Sequence, residues 1–459
     1  MIDRGFLSDD RATSVHLVGV GGAGMSGLAK LLCQDGYTVT GSDLKPARVL
    51  HRLRDLGVAT WTGSDPDRAV VADVLVKSSA VPLSDPEVHA FTQTGRPVLG
   101  RPELLERMTS SVPAIGCAGT HGKTTSTALM IHALRYSGHD PTFMVGGQLS
   151  DLHTNAHLGS DATFLLEADE AFGTFRSLHL RGLLVTNIDA DHLDYYGNVA
   201  TLEEAFALVA SRTDGPVVGC IDDSGVARLA QRSSLVSYGM SESARYRITD
   251  VSHGNSEVGF TLTGPHGIAT ATIPKPGDHI ARNAAGALAL LHEMGFDLQA
   301  GVAALATFEG VRRRFETKAN IAGVTVVDDY AHHPTEVAAT VAAARHGTWR
   351  KVWVVFQPHR YTRTAELGHL FGPALAGADE VIVTDVFAAS ETPIPGVSGR
   401  LVSQSVEAAG GTVRFVDRVS DAVAVLSDEV IEGDLVLLLG AGDISAAAEE
   451  LARRLESRS

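Results

Sequence analysis

The chain has 459 residues, 44% of them hydrophobic and 20% charged, and its formal net charge is −16. This composition is typical of a soluble globular protein with about two to four domains. The negative charge excludes a general nucleic-acid-binding surface, because such a surface neutralises phosphates with Lys and Arg. Three widely spaced cysteines and an N-terminus without an apolar signal core predict a cytoplasmic protein. The apolar runs are too short to cross a bilayer, so we expect no membrane insertion.

The first predicted strand, 15–18, leads into a glycine turn with the pattern Gly19-x-Gly21-x-x-Gly24. Glycines let backbone N–H groups approach a diphosphate, and Asp43 ends the next predicted strand, where an acid can meet a ribose. The turn alone does not separate NAD from a nucleotide-sugar diphosphate. A tight turn without a ligand is the remaining alternative.

A second apolar run, 112–118, precedes another glycine turn and a helical segment. The turn consists of Gly119, Thr120, His121, Gly122, Lys123, Thr124 and Thr125. Such a turn predicts a phosphate-binding loop, in which Lys123 reaches the terminal phosphates and Thr124 ligates Mg²⁺. It is not a literal Walker A pattern, because Cys117 stands where that pattern has glycine. The alternative is a surface turn with a solvated lysine.

Two short apolar runs that follow this loop are predicted as buried strands, and each ends in an acidic segment. Glu167 follows the first strand, and His192 follows the second, with Asp191 and Asp194 as alternatives. Carboxylates at strand ends beside a phosphate loop suit Mg²⁺–nucleotide chemistry. The sequence therefore predicts a magnesium site here, against the alternative of a solvated acidic loop.

Histidines and arginines collect after two predicted strands of the C-terminal third, in segments 328–336 and 356–364. Strand ends are the ligand side of a parallel sheet, and arginine binds carboxylate or phosphate with two hydrogen bonds. We therefore expect a ligand-contacting role for these segments rather than inert surface side chains. A third glycine turn follows the apolar run 435–439.

The three glycine-turn units predict an α/β fold with three domains built on parallel sheets. The predicted domains span residues 1–108, 109–312 and 313–459. Segment 240–275 alternates polar and apolar residues between glycines, which predicts short antiparallel strands.

Taken together, these motifs resemble the Mur ligase family over nearly the whole chain. The matching segments are 21–27, 119–125, 167–170, 187–192, 282–284, 310–315, 328–336 and 356–364. The resemblance implies a Rossmann-like N-terminal domain that binds a UDP substrate, a central P-loop ATPase domain, and a Rossmann-like C-terminal domain that closes over both. The chain departs from the family at Ala171-Phe172, where Ser-Asp is usual, and this puts in doubt how that segment holds the UDP-sugar.

The resemblance also implies a reaction. ATP, with Mg²⁺, would phosphorylate the carboxylate of UDP-N-acetylmuramate, and the amine of L-alanine would attack the resulting acyl phosphate. The implied catalytic residues are Lys123, His192, His332, Arg360 and Arg363. The implied metal ligands are Thr124, Glu167 and His192. Beyond the phosphate loop, the implied ATP contacts are Asn283, Arg314 and Asp329. The implied UDP-substrate contacts are Gly21, Gly22, Gly24, Met25, Ser26 and Asp43. We expect a monomer or a weak homodimer.

Three other functions remain open at this point. A related ligase joins a recycled tripeptide to UDP-N-acetylmuramate, but Tyr330 with residues 331–333, and residues 25–27, favour alanine as the acceptor. An NAD-dependent oxidoreductase would explain the first glycine turn but not the Lys123 loop, because hydride transfer needs no γ-phosphate site. A nucleotide-binding regulator would bind ATP without releasing phosphate.

Overall fold

A computed structural model describes residues 6–7, 13–265 and 267–457, apart from the side chain of Asp194. The chain divides into two compact units. The first unit contains the chain up to Thr249 together with Thr261–Ala271 and Arg282–Glu309. The second contains Asp250–Phe260, Thr272–Ala281 and the chain from Gly310 onward. Within the described residues, no helix combines the length and the apolar character needed to cross a membrane.

The N-terminal sheet consists of parallel strands in the order β3-β2-β1-β4-β5. Its strands are β1 (Ser14–Val18), β2 (Thr38–Asp43), β3 (Ala59–Thr62), β4 (Val74–Lys77) and β5 (Val98–Gly100). Its helices are α1 (Ala23–Gln34), α2 (Arg48–Asp55), α3 (Pro66–Ala69), α4 (Pro86–Thr92) and α5 (Arg101–Ser111). The strand order reverses between β1 and β4, so the glycine turn after β1 lies where such sheets bind ligands.

The central sheet has the order β15-β14-β13-β12-β11-β10-β6-β9-β7-β8. Its first strands are β6 (Ala114–Ala118), β7 (Thr142–Leu149), β8 (Thr154–His157), β9 (Phe164–Glu167) and β10 (Gly182–Val185). The others are β11 (Val217–Cys220), β12 (Val236–Gly239), β13 (Tyr246–His253), β14 (Val258–Gly264) and β15 (Gly267–Ile273). The helices are α6 (Lys123–Tyr136), α7 (Leu193–Tyr196), α8 (Val199–Arg212), α9 (Ser224–Ala230), α10 (Asp278–Glu293) and α11 (Leu298–Leu305), and a 3₁₀ segment covers Ala171–Ser177.

Strand β6 lies between β9 and β10 in the central sheet and leads into the phosphate loop. All five of its residues are buried, as expected of an apolar strand covered on both faces. It pairs in parallel with β9 on one side and β10 on the other. The carboxyl ends of these three strands therefore meet at one edge of the sheet. That edge brings together the phosphate loop and the two acidic segments.

The C-terminal sheet has the order β16-β17-β21-β18-β19-β20, with β16 antiparallel to β17 and the other pairs parallel. Its strands are β16 (Glu316–Ile321), β17 (Val324–Asp329), β18 (Val352–Phe356), β19 (Glu380–Val383), β20 (Val413–Phe415) and β21 (Leu435–Leu439). The helices are α12 (Pro334–Arg345), α13 (Tyr361–Leu367), α14 (Phe371–Leu375), α15 (Arg400–Ala408), α16 (Val419–Glu429) and α17 (Ala446–Glu456), with 3₁₀ segments at Gly368–Leu370 and Asp443–Ser445.

Strand β21 shows how this sheet is buried on both faces. Leu435, Leu437 and Leu439 belong to one buried cluster, and Val436 and Leu438 belong to another. Alternation along the strand sends successive side chains to opposite faces, and helices cover both faces. The predicted α/β class is thereby confirmed, and segment 240–275 contains strands β13 to β15 as predicted.

Candidate active site

The phosphate loop lies close against its neighbours at two glycines. Gly119 has φ +131°, and a Cβ there would overlap Thr186 Oγ1. Gly122 has φ +84°, and a Cβ there would lie 2.6 Å from Asn283 Oδ1. Both positions therefore require glycine, for backbone conformation as well as for space. The close contact brings Asn283, predicted from sequence to meet ATP, directly to the loop.

Hydrogen bonds join the loop to the segment after β10. His121 N donates to Asn187 Oδ1 at 2.8 Å, and Asn187 Nδ2 donates to His121 O at 3.0 Å. Asp189 N donates to Thr120 Oγ1 at 2.9 Å. The side chain of Thr120 thus holds the second acidic segment in place, and the loop and that segment form one connected structure.

Lys123 is engaged within the protein. Its Nζ donates to Gly119 O at 2.7 Å and to both carboxylate oxygens of Glu170, at 2.9 and 2.8 Å. The side chains of Lys123 and Glu170 are 14% and 2% exposed. Burial by itself would lower the pKa of Lys123, but Glu170 and Asp169 outweigh it, so the pKa is raised. Lys123 is therefore a charged, preorganised cation, and its direct partner Glu170 was not identified from the sequence.

The acidic segment after β9 carries more negative charge than Lys123 balances. Glu167, Asp169 and Glu170 all act on the pKa of Lys123. Glu167 Oε1 accepts from Gly146 N at 2.5 Å, which fixes its carboxylate beside β7. Hard oxygen donors with excess negative charge are what Mg²⁺ requires. These residues therefore fit a magnesium ion.

The other predicted metal ligands lie around this segment. His192 Nε2 is 4.0 Å from Glu170 Oε1 and 3.9 Å from Asp191 Oδ2. Thr124 is buried in the first turn of α6, as is Thr125. The alternative ligand Asp194 has a side chain outside the described part of the structure.

The N-terminal glycine turn is held by Asp43 and faces an arginine. Gly21 N donates to Asp43 Oδ2 at 2.9 Å. A Cβ on Gly24 would lie 2.9 Å from the guanidinium carbon of Arg101, whose Nε is buried. Among the described residues, Arg101 forms no hydrogen bond or ion pair. A guanidinium and a helix N-terminus thus combine as an anion-binding position. The sequence marked Arg101 only as the start of a helix.

The packing of α1 determines how far the predicted substrate contacts Met25 and Ser26 are exposed. Met25 is 2% exposed and belongs to the hydrophobic core. Ser26 Oγ donates to Ala23 O at 3.0 Å, and Ser26 N donates to Gly22 O at 2.8 Å. Ser26 is one of the residues that line a cleft of about 270 Å³. The cleft is also lined by Gly21, Lys30, Arg52, His153 and Asn155.

In the second unit, the predicted histidines and arginines form a cluster at the carboxyl ends of β17 and β18. The rings of His332 and His359 are 5.9 Å apart, and Arg360 Nε contacts Glu391 Oε1 at 2.6 Å. Burial, followed by the charges of His332 and Arg363, lowers the pKa of His359 to about 4. The predicted residues His332, Arg360 and Arg363 are thus brought together around a neutral imidazole.

Asp329, predicted as an ATP contact, is bonded to backbone groups in this structure. Its Oδ2 accepts from Phe315 N at 2.7 Å, and its Oδ1 accepts from Ala331 N at 2.8 Å. Burial raises the pKa of Asp329 to about 6. The carboxyl group therefore ties two backbone segments together. Arg314, also predicted to contact ATP, packs over the ring of Tyr330 at 5.2 Å.

The departure from the family pattern produces an exposed aromatic pair. Phe172 adopts φ +53° and is 59% exposed, and its ring lies 6.2 Å from that of Tyr195. Positive φ is rare for a bulky residue. The segment next to Glu170 therefore presents rings where the usual pattern presents a hydroxyl and a carboxylate.

The sheets and the Lys123 loop define a multidomain P-loop protein that binds nucleotides. Family models match along the chain, and their descriptions are the Mur ligase family catalytic domain, the Mur ligase middle domain and the Mur ligase glutamate ligase domain. In that order they match residues 14–112, 117–291 and 313–442. The chain belongs to the Mur ligase family and has its three-domain α/β fold.

Individual relatives match over almost their whole length. The UDP-N-acetylmuramate–L-alanine ligase of Mycolicibacterium vanbaalenii is 41% identical, with 97% of this chain and 96% of the relative covered. The structure of the UDP-N-acetylmuramate–alanine ligase of Thermotoga maritima matches with a TM-score of 0.84 at 28% identity, covering 97% of this chain and 100% of that one. A murein peptide ligase of Psychrobacter arcticus shares the fold, with a TM-score of 0.69 at 22% identity over 97% of this chain and 99% of that one.

Proposed function

We propose that this chain joins L-alanine to the carboxylate of UDP-N-acetylmuramate, using ATP and Mg²⁺, through an acyl-phosphate intermediate. The observation that carries the proposal is the similarity to an enzyme of that name, 41% over 97% of the chain. The reaction belongs to peptidoglycan precursor synthesis and takes place in the cytoplasm, where it supports cell shape and division. The proposed domain boundaries lie after residues 108 and 312.

The first step activates a carboxylate, which is a poor acyl donor because its leaving group is oxide. The phosphate loop holds ATP, and Lys123 exchanges Glu170 for the terminal phosphate. Asn283, which lies beside Gly122, and Arg314 are further contacts for ATP. Thr124, Glu167 and His192 would hold Mg²⁺, which neutralises charge on the transferring phosphoryl group when bound. Transfer to the substrate carboxylate makes phosphate the leaving group.

The second step forms the amide. Arg360 and Arg363 are suited to bind the carboxylate of the amino acid, because a guanidinium meets a carboxylate with two hydrogen bonds. His332 lies beside them and faces the amine. The nitrogen attacks the acyl carbon, and the tetrahedral adduct expels phosphate.

The UDP-substrate is held in the first unit. The turn at Gly21, Gly22 and Gly24 has no side chains that would keep the diphosphate away from the start of α1, and Arg101 adds a cation at the same place. The cleft beside Ser26 is lined by Lys30 and Arg52, so two cationic side chains are placed beside α1 for an anionic substrate. Asp43 stabilises the turn through Gly21.

An assay of phosphate release in which one component is left out at a time tests the proposal. We expect release only when ATP, Mg²⁺, UDP-N-acetylmuramate and L-alanine are all present. Turnover with the tripeptide L-alanyl-γ-D-glutamyl-meso-diaminopimelate in place of alanine would reassign the acceptor. ATP binding without phosphate release for any acceptor would overturn the assignment as an enzyme, and an absorbance change at the nicotinamide band would favour an oxidoreductase.

A further inference from the structure

The Nδ1 nitrogen of the His332 ring has a carbonyl hydrogen-bond acceptor on one side and a carboxylate close by. Its Nδ1 lies 2.9 Å from Tyr330 O and 3.2 Å from Glu336 Oε2. A carbonyl and a carboxylate cannot donate, so Nδ1 carries the hydrogen. In the neutral ring, Nε2 therefore carries the lone pair. The surroundings of His332 thus select one of its two tautomers.

Glu336 is itself fixed by the helix that it caps. Its Oε2 accepts from His332 N at 3.0 Å and from His333 N at 3.3 Å, at the start of α12. The side chains of His332 and Glu336 are 19% and 14% exposed. One carboxylate therefore caps the helix and orients the imidazole, so the ring cannot turn freely.

The charges around His332 favour a neutral ring. Burial lowers its pKa, Glu336 opposes this, and Arg363 and Arg314 lower the pKa further. His359 faces the same ring at 5.9 Å. Among the described residues, no group forms a hydrogen bond with Nε2 of His332. A neutral imidazole with an available lone pair thus lies among arginines suited to an amino-acid carboxylate.

We propose that Glu336 is a positioning residue that fixes the His332 tautomer, so that Nε2 takes the proton that the amino-acid nitrogen loses during attack on the acyl phosphate. The inference rests on the proposed function. The ammonium group first loses a proton to solvent, and the lone pair of the resulting free amine forms the bond to the acyl carbon. The adduct then transfers one N–H proton to Nε2. The C–O bond to phosphate then breaks, and its electron pair leaves with the phosphate.

Hydroxylamine separates this step from carboxylate activation. It traps an acyl phosphate as a hydroxamate, and at high concentration a second hydroxylamine molecule or buffer takes the proton that its nitrogen loses, so trapping does not depend on His332. In Glu336→Gln, we expect kcat for L-alanine to fall about 10- to 100-fold. The KM for alanine and ATP-dependent hydroxamate formation should stay within about twofold. Loss of the carboxylate charge lowers the pKa of His332 further, so the acid limb of the pH profile moves to lower pH.

Two further variants test whether the role is merely structural. Glu103→Gln changes the glutamate at the same capping position of α5, and it should leave alanine turnover and the acid limb unchanged. Glu336→Asp retains the negative charge, so its acid limb should stay near that of the parent chain.

The outcomes distinguish the two levels of the proposal. Equal loss of hydroxamate formation and alanine turnover in Glu336→Gln would reduce Glu336 to a helix cap and overturn the inference. Unchanged alanine turnover, or an acid limb that does not move, would overturn it as well. Absence of hydroxamate from the parent chain would overturn the proposed function, and the inference with it.

Discussion

The two clusters of chemistry in this chain have opposite electrostatic character. Around Lys123, three carboxylates surround one cation that they keep charged. Around His332, arginines and burial keep two imidazoles neutral. The first arrangement suits a metal–phosphate ligand, and the second suits an amino-acid carboxylate and the removal of a proton. In the proposed reaction, phosphoryl transfer and aminolysis make opposite electrostatic demands, and two separate clusters would meet them.

The largest effect should come from removing the one cation of the first cluster. We expect Lys123→Ala to lower ATP-dependent phosphate release by about a thousandfold, because charge on the transferring phosphate loses its partner. It should also cost about 3–5 kcal/mol in the free energy of unfolding, because Glu170 remains buried and unpaired. Phosphate release and urea unfolding measure the two effects.

A double variant separates these effects. Lys123→Ala with Glu170→Gln should recover most of the stability but none of the activity. Recovery of near-normal phosphate release would remove Lys123 from the reaction.

The backbone of the phosphate loop can be distorted without changing the charge of the first cluster. Gly119→Ala adds a methyl group at φ +131° that overlaps Thr186, and we expect it to cost about 4 kcal/mol in stability and to abolish ATP binding. Gly138→Ala is the matched control, because φ is +86° there and no atom lies within 4 Å of the added Cβ. That control should cost about 1 kcal/mol. Similar losses for both variants would mean that backbone strain alone explains the effect.

The proposed role of His192 as a Mg²⁺ ligand can be tested by its effect on the Mg²⁺ titration. We expect His192→Ala to raise the Mg²⁺ concentration for half-maximal activity about tenfold. His179→Ala removes a histidine that is 60% exposed in the same unit and should leave the titration unchanged. An unaltered Mg²⁺ dependence in His192→Ala would exclude it as a ligand.

The last effect concerns the second cluster and appears in the dependence of stability on pH. The pKa of Asp329 is about 6 in the folded chain and ordinarily 3.8, so the folded state binds the proton more tightly. The free energy of unfolding therefore falls as pH rises from about 4 to 6, by about 3 kcal/mol for this group. Asp329→Asn should remove that slope in urea titrations from pH 4 to 7.5. Asp428→Asn, exposed on α16, should retain it, and a slope equal in both variants would contradict the assignment.

Local patterns predicted the main features of the fold and much of the site. An apolar strand followed by a glycine turn and a helix is a feature of consecutive residues, so all three units could be found without tertiary information. Glu167 and His192 were predicted near the loop because parallel strands end at one edge.

Side-chain partners could not be predicted in the same way. Glu170 binds Lys123, and Arg101 lies against Gly24. These contacts form because segments distant in sequence become neighbours and their side chains adopt particular rotamers. The burial of the Met25 side chain could not be predicted for a related reason. Met25 belongs to a glycine motif but also lies in the first turn of a helix that packs on the sheet, and the motif does not specify which side chains point inward. The backbone bonds of the Asp329 carboxylate likewise depend on how the chain folds around it.

The Lys123–Glu170 pair also has a consequence for ligand affinity. In the proposed reaction, the terminal phosphate of ATP replaces Glu170 as the partner of Lys123, so the binding free energy gains only the difference between two ion pairs. The same carboxylate would compensate the charge of Lys123 again when ADP leaves. Under the proposed function, a buried ion pair would therefore favour turnover over tight retention of the product.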